Sequence, residues 1–174
     1  MTAPPSFRVH PLTANLDRTT FCSGSAPLDR YLREQITQDV RRRVAACFVA
    51  MTTEATPRLA GYYTLASASL LLADLPASTA RKLPRYPSVP AVRMGRLAVD
   101  QAFKGQGLGS TLVADALDRA IRSEIAAHAL MVDAKDEVAA AFYRHQGFIA
   151  LPASPLVLFL PLGTATAAQG RSPG

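Results

Sequence analysis

The sequence predicts an α+β domain in which helices flank a mixed β-sheet. Three observations indicate this fold class: apolar runs of strand length alternate with amphipathic stretches of helix length, two successive strands form a predicted hairpin, and the elements follow the order β-α-β-β-β-α-β-α-β. A chain of 174 residues with 49% hydrophobic residues can bury one sizeable core. We expect residues 1–162 to form a single domain and residues 163–174, which are rich in Ala, Thr, Gly, Ser and Pro, to be a disordered tail.

The N-terminal half is predicted to contain a strand, a helix and a β-hairpin. Residues 7–12 alternate in hydrophobicity and form the first predicted strand. Residues 45–52 and 59–69 are apolar strands joined by a short turn, so we expect them to pair as an antiparallel hairpin. Between these strands, Ser25 can cap a helix with Pro27 in its first turn. The apolar face of this helix has the spacing i, i+3, i+4, i+8 and consists of Leu28, Tyr31, Leu32 and Ile36.

A long proline-rich connection follows the hairpin over residues 70–90. It contains the cations Arg81, Lys82 and Arg85, and we expect a short helix over residues 78–83. Connections of this length are unusual inside a compact domain, so this one indicates function or flexibility.

A glycine-rich loop between a strand and a helix is the most informative stretch of the chain. Residues 93–99 form a predicted buried strand, Gly105, Gly107 and Gly109 follow two residues apart, and apolar residues then recur at helical spacing. Such a helix start has unpaired backbone N–H groups at the positive end of the helix dipole, which is an arrangement that binds phosphate. The spacing fits neither the Walker nor the Rossmann glycine pattern, so by spacing alone a plain tight loop is an equal alternative.

The C-terminal half is predicted to contain a strand, a capped helix and a closing strand. Residues 129–134 are apolar and form a predicted buried strand. Asp136 caps a helix over residues 137–146 that ends at Gly147, and residues 156–160 form the last strand.

Two segments resemble the GNAT family of N-acetyltransferases. The stretch GRLAVDQAFKGQGLGSTLVADAL resembles the acetyl-coenzyme A loop of that family, whose pattern is Arg/Gln-x-x-Gly-x-Gly/Ala, and Lys104, Gly107 and Gly109 take the three defined positions. The stretch AFYRHQGF at residues 141–148 resembles the family's F-Y-x-x-x-G-F segment. Lysine keeps the charge of arginine but lacks its planar fork, so we expect weaker orientation of the pyrophosphate without loss of binding.

The resemblance implies the GNAT fold and acetyl-CoA as the cofactor. In that fold the mixed sheet is mostly antiparallel, and the central strand splays from the strand over residues 129–134 so that the pantetheine arm lies between them. The residues that the resemblance places at the coenzyme are Leu97, Ala98, Val99, Lys104, Gly105, Gln106, Gly107, Leu108, Gly109, Ser110 and Phe142.

Tyr143 matches the tyrosine that protonates the coenzyme A thiolate in many GNAT enzymes, so the resemblance implies that it is the catalytic general acid. A phenol with a pKa of about 10 is protonated at pH 7 and can donate a proton. The structural alternative is that Phe142 and Tyr143 are both core aromatic residues near the end of a helix.

No pattern identifies a general base, because His10, His128 and His145 are scattered along the sequence. An α-amine with a pKa of about 8 is partly neutral near pH 7, whereas lysine with a pKa of about 10.4 is not. The missing base therefore favours an α-amine acceptor, although a water relay would weaken this inference.

The N-terminal half resembles the toxin branch of GNAT enzymes. The resemblance rests on the stretch FCSGSAPLDRYL at residues 21–32, GYYTLA at residues 61–66 and RLAVD at residues 96–100. In that branch the α-amine of aminoacyl-tRNA is acetylated, which blocks translation, and the partner is a small ribbon-helix-helix antitoxin. The alternatives are a GNAT enzyme that acetylates a small-molecule amine or a protein N-terminus, and a non-enzymatic binding module.

A formal net charge of +6 favours an anionic partner such as tRNA, although it also fits a merely soluble domain. The run of three arginines at residues 41–43 is alternatively a solvated helix end that interacts favourably with the helix dipole. A homodimer would present a wider basic surface to tRNA. The candidate tRNA contacts are Arg41, Arg42, Arg43, Arg81, Lys82, Arg85 and Arg93.

The remaining expectations concern metals, thiols and compartment. Cys22 and Cys47 form no metal-binding pattern, so we expect no metal site and two buried, reduced thiols. The sequence has no pattern of a signal peptide or a membrane span, and we expect a cytoplasmic protein without membrane association.

Overall fold

The computed structural model of the chain describes residues 6–163, which form seven strands and five α-helices. All seven strands belong to one sheet, whose order is β1-β2-β3-β4-β5-β7-β6. The strands are β1 (Phe7–Pro11), β2 (Ala46–Thr52), β3 (Leu59–Leu71), β4 (Ser88–Val99), β5 (Ala129–Asp133), β6 (Ile149–Leu151) and β7 (Ser154–Pro161). The pairs β1–β2, β2–β3, β5–β7 and β6–β7 are antiparallel and the pair β4–β5 is parallel, so the predicted mixed, mostly antiparallel sheet is confirmed.

The helices lie where the sequence predicts them, with differences in detail. They are α1 (Ala26–Arg30), α2 (Ile36–Arg41), α3 (Ala77–Ala80), α4 (Leu108–Arg122) and α5 (Glu137–His145). The predicted first helix is continuous but contains a π-helical turn at Tyr31–Gln35, between α1 and α2. Ser25 is the N-cap residue of α1, but its side chain makes no capping hydrogen bond.

The central strands β4 and β5 pair over only part of the length of β4. The pairing between β4 and β5 begins with Ala91 opposite Ala129 and ends with Met94 opposite Val132. The strand β4 then continues to Val99 without β5.

The chain divides into two compact units, and β3, β4 and α4 contribute residues to both. The first unit contains the described residues up to Ala66 together with Gly95–Asp115, and the second contains Ser67–Met94 together with the described residues from Ala116 onward. The prediction of one domain over residues 1–162 stays a prediction. The predicted tail lies, apart from Gly163, outside the described residues.

The core of the first unit forms around the predicted apolar face of the first helix. Leu28 packs against this core, whose buried members are Phe21, Tyr31, Leu32, Ile36, Cys47, Val49, Tyr62 and Ala98. Burial raises the pKa of the Cys47 thiol to about 12. Cys22 is a free thiol as well, but it is exposed, so the prediction of two buried thiols is wrong for Cys22.

The core of the second unit joins β4, β5 and β7 to the connection between β3 and β4. Its buried members are Leu70, Leu75, Val89, Ala91, Ala129, Met131, Leu151 and Phe159. Leu72, Ala80 and Leu83 of the connection pack against this core.

Two boundaries of this region differ from the sequence prediction. The strand β4 begins at Ser88 rather than at residue 93 and includes Pro90, which precedes the residues of β4 that pair with β5, so its missing N–H costs no bond to β5. The helix α3 is a single turn whose N-cap is Pro76. After it, Leu83 still bonds back to Ala80 in a turn.

Residues 6–163 contain neither a membrane-spanning helix nor a cluster of metal-binding side chains. No helix among residues 6–163 combines the length and apolarity needed to cross a membrane. No group of three or more His, Cys, Asp or Glu side chains in the same range could hold a metal ion.

The tight packing around Gly61 gives a test of the first unit. A Cβ atom at Gly61 would lie 2.9 Å from the Ala98 carbonyl oxygen and 3.1 Å from Leu112 Cδ1. We expect Gly61→Ala to reduce the free energy of unfolding by about 1–3 kcal/mol, because backbone of β4 must move to admit the methyl group. Chemical denaturation measures the change, and Gly163→Ala is the control, since no atom of residues 6–163 lies within 4 Å of its Cβ position. Equal stability of the two variants would contradict the close packing.

Candidate active site

The glycine-rich loop links β4 to α4 within the first unit. Asp100 accepts a hydrogen bond from the Ala102 N–H at 2.9 Å and so caps a short 3₁₀ turn at Gln101–Phe103. Phe103 and Leu108 are buried at either end of the loop, whereas the residues between them are exposed. The loop is therefore anchored at two apolar points and open to solvent between them.

The backbone conformation of the loop requires glycine at two positions. Gly105 has a φ of 80° and Gly107 a φ of 77°, in the region that side-chain-bearing residues rarely adopt. Within the described part of the chain, no atom lies within 4 Å of the Cβ position at either residue. Conformation rather than crowding thus explains these glycines, and the space beside them is free for a ligand.

The start of α4 presents several backbone donors. The Thr111 N–H donates to the Gly107 carbonyl oxygen at 3.1 Å in the first turn of α4. Between Gly105 and Gly109, no backbone N–H bonds to any group within residues 6–163. Because α4 is 15 residues long, these donors coincide with the positive end of a full helix dipole, and together they can bind an anion such as a pyrophosphate.

Lys104 has a contact that the sequence did not reveal. Its ammonium group donates a hydrogen bond of 2.6 Å to the Ser23 carbonyl oxygen. The adjacent Cys22 donates its N–H to Asp100 Oδ2 at 3.0 Å and accepts the Gln101 N–H at 2.9 Å. Three hydrogen bonds therefore hold residues 22–24 against the beginning of the loop.

Contacts within residues 21–29 and with the loop account for the serine, glycine and aspartate of this segment. Asp29 is buried and its Oδ1 accepts hydrogen bonds from both the Ser23 N–H at 2.9 Å and the Ser23 hydroxyl at 2.6 Å. Gly24 has a φ of 90°, and a Cβ atom there would lie 2.6 Å from Gln101 Nε2. The serine, the glycine and the aspartate of this segment thus shape the contact with the loop.

The three predicted coenzyme residues of β4 lie on both faces of the strand. The Ala98 side chain is buried in the core of the first unit. Leu97 and Val99 alternate with it and are half-buried. Only Leu97 and Val99 can therefore offer side chains to a ligand on the opposite face, while Ala98 can offer its backbone.

Tyr143 lies on α5 in the second unit; that helix begins at Glu137 as predicted and ends at His145, one residue before the predicted end. Asp136 Oδ1 accepts the Ala139 N–H at 2.8 Å as the N-cap, and Gly147 follows the helix with a φ of 100°. The Tyr143 ring is 8% exposed and packs edge-on against Phe142 and Phe148, at centroid distances of 5.2 and 5.6 Å.

The environment of Tyr143 keeps its phenol protonated. Burial raises the pKa of Tyr143 to about 12. The hydroxyl makes no hydrogen bond to another group within residues 6–163. A neutral, desolvated hydroxyl with no internal acceptor can donate a proton to a ligand.

The predicted basic residues lie in both units. Arg41, Arg42 and Arg43 are exposed at the end of α2 in the first unit. Arg81, Lys82 and Arg85 are exposed in the second unit. Arg93 differs from them, because its Nε lies 3.3 Å from Asp133 Oδ2 in an ion pair whose arginine side chain is 45% exposed.

None of the three histidines has a partner that would activate it as a base. His145 is exposed, although Tyr143 two residues earlier is buried. His10 Nδ1 lies 3.0 Å from the Pro11 carbonyl oxygen. Burial lowers the pKa of His128, whose Nε2 has no hydrogen-bond partner within residues 6–163.

A polar cluster beside β4 was not predicted. The Arg96 guanidinium lies over the Tyr31 ring at 3.5 Å, and the Tyr31 hydroxyl donates to Asp39 Oδ2 at 2.6 Å. Gln35 donates to the other oxygen of Asp39 at 3.0 Å, and the Tyr31 hydrogen bond lowers the pKa of Asp39. The spacing i, i+4, i+8 of Tyr31, Gln35 and Asp39 is the sequence signal that could have indicated this cluster.

The Lys104 contact gives a local prediction. We expect Lys104→Met to accelerate hydrogen exchange of the Cys22 and Gln101 amides by about tenfold, because one charge-assisted hydrogen bond worth about 1.5 kcal/mol is lost. Lys135→Met removes an exposed lysine of the second unit and is the matched control. Unchanged exchange at both amides would show that Lys104 does not hold this segment.

Comparisons with known proteins agree on one family. Residues 14–148 match the model of the acetyltransferase (GNAT) family. The chain is 38% identical over 156 residues, which is 88% of this chain and 91% of the relative, to a tRNA-acetylating toxin of Mycobacterium tuberculosis (strain ATCC 25618 / H37Rv).

Two solved structures extend the comparison. AtaT complexed with acetyl-methionyl-tRNAfMet is 30% identical, with a TM-score of 0.86 over 94% of this chain and 99% of that chain. A mutant of the AtaT toxin bound to the C-terminus of the antitoxin AtaR and acetyl-CoA is 25% identical, with a TM-score of 0.79 over 95% of this chain and 99% of that chain. The family match, the sequence identity and the shared fold together establish that this chain belongs to the acetyltransferase (GNAT) family.

Proposed function

We propose that this protein uses acetyl-CoA to acetylate the α-amine of aminoacyl-tRNA, and that it is the toxin of a type II toxin–antitoxin system that blocks translation. The observation that carries the proposal is the 38% identity to a tRNA-acetylating toxin over 88% of the chain. The anion-binding loop, the buried neutral tyrosine and the net charge of +6 support it.

The first unit supplies the coenzyme-binding residues in this proposal. Acetyl-CoA supplies an acetyl group activated as a thioester. The backbone donors from Gly105 to Gly109 bind its pyrophosphate, and Leu97 and Val99 pack along the pantetheine arm. Lys104 contributes by holding the loop, since its ammonium group already bonds to the Ser23 carbonyl oxygen.

The second unit supplies the proton in this proposal. The reaction forms a nitrogen–carbon bond to the α-amine and breaks a carbon–sulfur bond. The sulfur must therefore gain a proton and the nitrogen must lose one. Tyr143 donates its hydroxyl proton to the leaving sulfur, and solvent takes the proton of the amine and restores the phenol.

The acceptor and the partners follow from charge and from the relatives. An α-amine with a pKa of about 8 needs little help to become neutral, which fits the absence of an activated histidine among residues 6–163. The exposed arginines at residues 41–43 and the cations of the β3–β4 connection contact tRNA phosphates in this proposal. In this proposal the partner protein is a ribbon-helix-helix antitoxin that covers the enzyme. The enzyme acts in the cytoplasm, where charged tRNA is found. A homodimer presents a wider basic surface to tRNA.

Transfer of labelled acetyl from acetyl-CoA to charged tRNA tests the reaction, with uncharged tRNA as the control substrate. We expect label on charged tRNA alone, and we expect Tyr143→Phe to lower kcat by about 10²–10⁴-fold without a change in coenzyme affinity. Tyr62→Phe is the matched variant, because it also removes one hydroxyl from a buried tyrosine, where that hydroxyl bonds to the Leu28 carbonyl oxygen. Full activity of Tyr143→Phe would exclude the acid role. Label on a free amine or a peptide N-terminus alone would replace tRNA with that acceptor.

The pH dependence of the reaction tests the protonation states. A general acid is active while protonated, and its activity is lost as the pH rises through its pKa. Since burial raises the pKa of Tyr143 to about 12, we expect no alkaline decline below about pH 10. The rate should instead rise with pH through the α-amine pKa of about 8. Single-turnover rates corrected for spontaneous deacylation measure this profile, and a decline with a midpoint below pH 10 would contradict it.

A further inference from the structure

The connection between β3 and β4 has an apolar side and a basic side. Leu75 is buried in the core of the second unit, and Leu72, Ala80 and Leu83 pack against that core. Arg81, Lys82 and Arg85 are exposed. The residues from Leu75 to Pro87 contain these three cations and no acidic residue. The connection therefore packs on the core by its apolar side chains and, with Asp74 as its one acidic residue, carries a net charge of +2.

Tyr86 is an exposed aromatic residue on this connection. Its side chain is 65% exposed, and among the exposed large hydrophobic residues of the described chain it is the only aromatic one. Its N–H bonds to the Pro84 carbonyl oxygen at 2.8 Å, and the Pro87 carbonyl oxygen accepts the Leu72 N–H at 3.1 Å. The backbone on both sides of Tyr86 is thus held, while its ring meets no aromatic or cationic partner within residues 6–163.

We propose that Tyr86 stacks on an unpaired base of the tRNA substrate while Arg81, Lys82 and Arg85 contact the neighbouring phosphates. The proposal rests on the proposed function and names a substrate-positioning residue for it. Single-stranded RNA is bound by exposed aromatic rings that stack on bases and by cations that contact the backbone. A ring on a rigid support loses little conformational entropy when a base stacks on it.

An acidic protein segment is the competing partner for this surface. Its carboxylates would also pair with the three cations. At residue 86, however, it would need only an apolar side chain and not an aromatic ring. Leucine preserves apolar bulk and removes the aromatic face. Tyr86→Leu therefore separates base stacking from apolar contact.

The test measures the KM for charged tRNA and the affinity for uncharged tRNA in the full-length protein. Stacking on one base contributes about 1–3 kcal/mol to binding. We therefore expect Tyr86→Ala and Tyr86→Leu to raise the KM for charged tRNA and to lower the affinity for uncharged tRNA, each by about 5- to 150-fold, with little change in kcat. Tyr86→Phe keeps the ring and should stay within about twofold of the wild type. Ile125→Ala is the matched control, because it truncates an 82% exposed apolar side chain of the second unit outside the connection.

Salt dependence separates the ring from the charges. We expect Arg85→Gln to reduce the slope of log affinity against log salt by about one, whereas Tyr86→Ala should lower affinity without changing the slope. A minihelix of the acceptor arm locates the base: equal losses on the minihelix and on whole tRNA assign it to the acceptor end, and a loss on whole tRNA alone assigns it to another unpaired region.

Failure of this inference is distinguishable from failure of the proposed function. A wild-type enzyme that transfers no acetyl to charged tRNA would overturn the function itself. An active wild type with unchanged KM and tRNA affinity in both Tyr86→Ala and Tyr86→Leu would overturn only the stacking role. Equal losses in Ile125→Ala would overturn it as well, because the effect would then not be specific to the aromatic ring.

Discussion

The attachment of residues 22–24 to the start of the glycine loop is the contact on which the conformation of that loop depends. Gly105 and Gly107 touch nothing within 4 Å of their Cβ positions, so the middle of the loop has no packing to fix it. Its conformation must be fixed at its ends. Asp100 and Lys104 bind the neighbouring segment on one side, and the bond from Thr111 to the Gly107 carbonyl oxygen begins the helix on the other. A loop held in this way keeps its donors oriented without covering them.

The burial of Tyr143 shows how one residue can satisfy a structural and a chemical requirement. Its ring packs between Phe142 and Phe148, as a core aromatic residue would. The same desolvation raises the pKa of its hydroxyl to about 12, so the phenol stays neutral at any pH at which a cell lives. The two interpretations of Tyr143 that the sequence permits are therefore compatible, because the packing that buries the ring also keeps the acid protonated.

The sequence predicts those features whose cause is local and misses those whose cause is a distant contact. The sequence predicts Asp136 before α5 and Gly147 after it, because helix capping depends on neighbouring backbone groups. The sequence prediction places the start of β4 after Pro90, although the strand begins at Ser88. Whether a strand can contain a proline depends on where its pairing begins, and pairing with β5 begins only at Ala91. Ser25 stands at the N-cap as predicted, but the hydroxyl that bonds in this segment is that of Ser23, which donates to Asp29 Oδ1. Lys104 fits a motif in sequence, but its partner, Ser23, lies far away along the chain.

Net charge and exposed rings contribute different things to recognition of a charged tRNA. Cations release counterions from any nucleic acid, so a charge of +6 attracts duplex and single strand alike. An arginine that is already paired with a carboxylate has less charge to offer a phosphate, as Arg93 shows beside Asp133. An aromatic ring distinguishes the two forms, because only an unpaired base can stack on it. The acceptor amine of aminoacyl-tRNA is attached to an unpaired end. A surface that combines cations with an exposed Tyr86 therefore favours the unpaired regions of a charged tRNA, of which the acceptor end is one, over its duplex arms.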